Sequence, residues 1–135
     1  GAWKLALGAN DTFGAAASLS GAIDMATHLV EKEAEEDDTE KAFWTGVFGS
    51  PEQMKGSEND LWALAAKLKK EEKTLPRLFA WCGKQDFLYK DNVRTWEYMK
   101  KLGYPLEFHE SDGDHQWCYW DEQIQNVLKW WLECV

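Results

Sequence analysis

The C-terminal half of the chain switches twice between a strand-like and a helix-like apolar pattern, and this alternation limits the fold more than any other feature. Residues 75–82 (LPRLFAWC) form a nearly unbroken apolar run with Pro76 confined to its entry, the pattern of a strand covered on both faces. Residues 92–102 then carry Val93, Trp96, Met99 and Leu102 near helical spacing, and Gly103 stands where a left-handed stop is needed. A short strand is expected over 105–109 and a closing helix over 117–132. Strand, helix, strand, helix at these spacings implies right-handed crossovers between parallel strands. The expected class is therefore α/β, a parallel sheet flanked by helices.

The upstream half is less regular. Residues 1–7 (GAWKLAL) are helix-like, with Trp3, Leu5, Ala6 and Leu7 giving a mostly apolar surface, yet no capping residue precedes them. They read as the inside of a helix that starts earlier. Residues 13–19 (FGAAASL) suit another covered strand. Residues 25–57 have no clean period: a charge run over 31–41 (EKEAEEDDTEK) precedes the apolar group Phe43, Trp44, Val47 and Phe48. This stretch reads either as an excursion that shapes a site above the sheet or as a plain surface connection. Ser57, with Asp60 three residues on, suggests a capping-box start for a helix over 57–73, with Leu61, Leu64, Ala65 and Leu68 on one face. No repeat, linker or low-complexity tract divides residues 1–135, which are expected to be one domain.

Composition removes several classes of function. Acidic residues outnumber basic ones 24 to 15, a net charge of −9, which argues against a nucleic-acid partner. No apolar run approaches the roughly 20 residues that span a bilayer, so no membrane partner is expected. The three cysteines, Cys82, Cys118 and Cys134, are odd in number and lack CxxC spacing, which argues against a disulfide framework and favours a reducing cytoplasm. Nine Trp, six Phe and four Tyr exceed what one core of this size needs, so some of that surface is expected to meet something else, a second copy being one option.

Two residues carry the clearest chemistry. Asp86 in WCGKQDFLY and His115 in SDGDHQW each follow a predicted strand, and in open α/β sheets ligands bind outside the carboxyl ends of the strands. A carboxylate that accepts a hydrogen bond from one imidazole nitrogen fixes the tautomer and leaves the other nitrogen to take a proton from a nucleophile. The bland alternatives are a turn or cap aspartate and a surface loop histidine. His28 and His109 could join His115 at a metal, but no ligand spacing supports this, and no metal is expected. Cys82 precedes the acid in the wrong order for a thiol nucleophile and reads as core. Trp117, Trp120, Trp130 and Trp131 fall near helical spacing and also read as core.

Nearly the whole chain outside the variable stretch resembles the esterase D-like branch of the α/β-hydrolases, which includes tributyrin esterases and S-formylglutathione hydrolases. The likeness rests on GAWKLAL with DTFGAAASLSGAID, on FAWCGKQDFLYKDN, and on SDGDHQWCYWDEQIQNVLKWW. It implies that Asp86 and His115 are the acid and base of a Ser-His-Asp triad. In such a triad the serine comes first in the chain, in a G-x-S-M-G-G-Y segment just before the equivalent of Gly1. The chain is then the C-terminal portion of an α/β-hydrolase domain, inactive alone, because the serine and both oxyanion donors lie upstream. Ser18 and Ser20 in ASLSG match the strand after the elbow and cannot replace it. Gly113 and Asp114 match the loop that presents the histidine, while Asp112 and Asp121 read as solvated or capping. The resemblance further implies a short-chain ester as substrate, Trp44 and Phe48 as pocket lining, no metal or organic cofactor, and a possible homodimer. The competing reading is a non-catalytic remnant or interaction module of the same fold.

Overall fold

The computed structural model describes residues 1–33 and 38–135. Its centre is a three-stranded, fully parallel sheet in the order β1 (Ala15–Leu19), β2 (Arg77–Gly83), β3 (Leu106–Ser111). Because side chains alternate along a strand, β2 sends Leu78 and Ala80 to one face and Phe79 and Trp81 to the other. The first face packs against Trp3 and Leu7 of α1 (Ala2–Gly8), Ala65 and Leu68 of α5 (Leu61–Lys70), and Met99 of α6 (Tyr89–Leu102). The second packs against Trp130 of α7 (Trp117–Cys134), with Trp120 and Val127 beside it. Burying β2 on both faces explains its unbroken apolar run. The Trp3 indole also donates to the Phe79 carbonyl at 3.2 Å, so α1 is tied to the sheet by a buried hydrogen bond as well as by packing.

Local signals account for several helix ends. Gly103 adopts φ 77° and returns its N–H to the Lys100 carbonyl, closing α6 as expected. The start of α5 differs from expectation. Asp60 is its cap, its carboxylate accepting from the N–H groups of Trp62 and Ala63, while Ser57 Oγ is spent on the Asn59 N–H in the preceding turn. The helix ends at Lys70, and Glu72 follows at φ 53°. A capping box does exist nearby, between Ser50 and Gln53, with Pro51 in the first turn of α4 (Pro51–Met54).

The described part of the stretch over 25–57 holds three helices, α2 (Met25–Glu33), α3 (Asp38–Phe48) and α4. Part of the charge run, residues 34–37, lies outside the described residues. Met25, Leu29 and Met54 form a satellite cluster covered by Trp44 and Phe48, separate from the two sheet faces. The tryptophans of α7 divide differently from the expectation that all four are core. Trp130 is buried and Trp120 half-buried, but Trp117 is 81% exposed and Trp131 48% exposed. The helix carries two apolar stripes, and only one meets the sheet. Leu5 of α1 likewise faces outward.

Candidate active site

The β2–β3 register pairs Gly83 with Ser111, so the loops that follow leave the sheet side by side at its carboxyl edge. The Lys84 N–H extends the pairing to the Ser111 carbonyl at 2.9 Å. Asp86 then sits in a tight turn, its N–H bonded to the Gly83 carbonyl and its own carbonyl accepting from Tyr89 N–H. Its two carboxylate oxygens have different tasks. Oδ1 accepts from the Leu88 N–H at 2.9 Å and fixes the turn into α6, and Oδ2 lies 3.0 Å from His115 Nδ1. Asp86 is thus a turn aspartate through one oxygen and the partner of His115 through the other.

Burial makes this pair directional. The Asp86 side chain is fully shielded from solvent, whereas that of His115 is 37% exposed. A shielded carboxylate that accepts the Nδ1 hydrogen holds the ring in the tautomer whose Nε2 is a free base. The ring is also held from its sides. Phe87 lies 4.8 Å away at 50°, and Trp120 lies 4.8 Å away edge-on at 83°. Neither aromatic neighbour stands out from sequence spacing, although Phe87 directly follows the acid.

The other candidates part from this pair. Cys82 is fully buried, and desolvation, aided by the Asp86 charge, pushes its thiol up to about 12. It is a neutral core group, as expected. Ser20 is buried at the end of β1 with φ 51°, and its N–H bonds to the Trp81 carbonyl. His28 Nδ1 pairs with Asp91 at 3.1 Å, and His109 pairs with Glu107 and stacks on Phe79. The three histidines therefore serve different sites, and among the described residues no group of three potential metal ligands occurs. Trp44 and Phe48 stack on each other at 5.8 Å over the satellite cluster, and the rings packed on His115 are other residues.

A second polar centre joins α2 to α6. The Arg94 guanidinium binds Asp24 at 3.1 Å, Glu31 at 2.8 Å and Asp91 at 2.6 Å, while His28 bonds the far oxygen of Asp91. Burial pushes the carboxyls of Asp24 and Asp91 upward, outweighing the pull of Arg94 in the opposite direction. Beside Asp24 lies a cleft of about 510 Å³, lined by residues including Val30, Pro51, Lys55 and Trp62 and by neither member of the Asp86–His115 pair.

A family model described as "Putative esterase" matches residues 1–131. The chain belongs to this esterase family. It is similar to the S-formylglutathione hydrolase FrmB of Staphylococcus aureus, with 35% identity and a TM-score of 0.78 over 96% of this chain and 48% of that one. A substrate-bound fluorophosphonate-binding serine hydrolase of the same organism, FphF, gives 33% identity and 0.77, again over 96% and 48%. A ferulic acid esterase at 22% identity and a TM-score of 0.64 shares the fold. In sequence, an acetyl esterase of Caldicellulosiruptor saccharolyticus is 33% identical over 88 residues, 65% of this chain and 33% of that protein. This esterase-family chain therefore spans about half the length of the similar solved structures and a third of the curated relative. Its sheet and flanking helices are those of an α/β-hydrolase. Among the described residues no helix is long and apolar enough to cross a membrane.

Proposed function

We propose that this chain supplies the acid and base of a serine carboxylic-ester hydrolase acting on short acyl esters, with the serine contributed from a segment upstream of Gly1. The observation that carries the reading is the 3.0 Å contact between His115 Nδ1 and the shielded Asp86 carboxylate at the carboxyl edge of the sheet. The serine hydroxyl attacks the ester carbonyl as His115 Nε2 takes its proton. The same imidazolium then protonates the departing alcohol, and a water activated by His115 releases the acyl group and restores the serine. Asp86 keeps the ring oriented and stabilises its cationic form without itself taking the proton. No metal or organic cofactor enters the scheme. The exposed Phe87 ring beside His115 is the nearer candidate for a substrate wall, and the Trp44–Phe48 stack the more remote one. Three free cysteines fit a reducing, cytoplasmic setting.

The test is hydrolysis of p-nitrophenyl acetate. The 135-residue chain is expected to show no enzymatic turnover. A polypeptide extended upstream through a G-x-S-x-G segment is expected to turn over, and to lose that turnover with His115→Ala. In the extended protein Phe87→Ala should raise KM more than Trp44→Ala. Turnover by the chain alone, abolished by His115→Ala, would refute the upstream serine.

A further inference from the structure

The residue before the acid and the glycine two before the histidine are locked to each other. The Gln85 N–H donates to the Gly113 carbonyl at 3.0 Å, and the Gly113 N–H donates to Gln85 Oε1 at 2.7 Å. One residue thus satisfies both backbone groups of buried Gly113, its own N–H bonding the carbonyl and its side-chain oxygen the N–H, and Gln85 Nε2 also reaches Asp112 Oδ1 at 3.4 Å. The loop has little room to move. A Cβ on Gly83 would stand 2.2 Å from the Gly113 carbonyl oxygen, and one on Gly113, at φ 152°, would stand 2.9 Å from the Tyr119 ring. The histidine loop is pressed between the end of β2 and α7, and the Gln85 side chain closes the remaining side.

From this geometry we infer that Gln85 is a positioning residue, which sets the spacing between the Asp86 carboxylate and the His115 imidazole by clamping Gly113. The inference rests on the acid–base reading of that pair. Asp86 is one residue from one jaw of the clamp and His115 two residues from the other. A shift of the loop therefore appears directly in the 3.0 Å contact between them. The accepted Gly113 hydrogen bond is the essential part, because the backbone donation from Gln85 survives any substitution there while the side-chain acceptor does not. Gln85 itself is solvent-exposed, so its replacement leaves the core intact.

The experiment uses the 135-residue chain and the low-field proton resonance that an imidazole N–H bonded to a carboxylate gives in NMR. The wild type is expected to show this resonance, and Asp86→Asn is expected to lose it. Gln85→Met keeps the side-chain length but removes the acceptor, and should broaden the resonance or speed its solvent exchange at least about tenfold. Gln85→Glu restores an acceptor for the Gly113 N–H and should return the signal. An unchanged resonance in Gln85→Met, with the Asp86→Asn loss intact, overturns the positioning role while leaving the acid–base pair standing. Equal loss in Gln85→Met and Gln85→Glu also overturns it, since the acceptor would then be irrelevant. No resonance in the wild type contradicts the pair itself, and the clamp with it.

Discussion

Asp86 and His115 are carried by neighbouring strands whose backbone pairing runs to the base of both loops, whereas the helices over 25–57 sit on a satellite cluster and are joined to α6 by side-chain charges. At the sheet edge, position follows from backbone hydrogen bonds and from Phe79 and Trp81 packed beneath α7. In the helical stretch it follows from Arg94 reaching Asp24, Glu31 and Asp91. The difference teaches that the Asp86–His115 pair stands where several backbone constraints agree, while the helical stretch depends on side-chain contacts. A region held, among the described residues, mainly by the Arg94 and His28 side-chain contacts and a small apolar cluster is expected to open before the sheet does.

The largest effect separates the two regions by activity. In the serine-bearing protein, Asp86→Asn should lower kcat by about 10⁴-fold through loss of the correct tautomer. Arg94→Ala should change it less than about tenfold. Steady-state ester hydrolysis measures both, and a comparable loss in Arg94→Ala would erase the distinction.

Stability gives the next contrast. Trp81→Ala removes a fully buried indole and its 2.9 Å bond to Ser111 Oγ, and should cost about 3–5 kcal/mol in urea unfolding of the whole chain. Met54→Ala removes an equally buried side chain from the satellite cluster, and should cost about 2 kcal/mol, with the lost hydrogen-exchange protection confined to α2–α4. Global loss in Met54→Ala would show one cooperative unit instead of two.

How legible these regions are in sequence follows the same division. β2 and α6 could be read because a doubly covered strand must be apolar throughout and because Gly103 suits the left-handed stop, whereas β3 alternates half-buried Leu106 and Phe108 with exposed Glu107 and His109. The meeting of Asp86 and His115 could be anticipated because both follow strands of the sheet. The start of α5 was not legible, since Ser57 and Asp60 are both good caps and only the turn geometry assigns Ser57 Oγ to Asn59. Trp117 and Trp131 depart from the core expectation because spacing reveals that α7 is apolar, not which of its stripes meets the sheet. Arg94 ties Asp91, three residues earlier, to the distant Asp24 and Glu31, and Gln85 bonds the distant Gly113, and these long-range partners are not marked by local spacing.

Arg94→Ala should cost about 2 kcal/mol, by leaving Asp24 and Asp91 buried without their main cation. Amide exchange in α2 is the measurement, and unchanged protection would mean that the satellite cluster alone holds the helices.

The smallest effect concerns pH. Burial raises the carboxyls of Asp24 and Asp91 above 3.8, so the folded chain binds these protons more readily than the unfolded chain does. Their contribution to stability therefore grows as pH falls from neutral through the raised values, and levels off below 3.8. α2 protection should rise by at most about 1 kcal/mol on mild acidification, and Asp91→Asn should flatten that dependence. A fall in wild-type protection over the same range would contradict the sign.

Fluorophosphonate labelling read by intact mass and peptide mapping tests the central claim most directly. The 135-residue chain should take up no adduct, while the upstream-extended protein should carry one on a serine before Gly1, lost with His115→Ala. An adduct on Ser18, Ser20 or any other serine of this chain, formed in a His115-dependent way, would contradict the account.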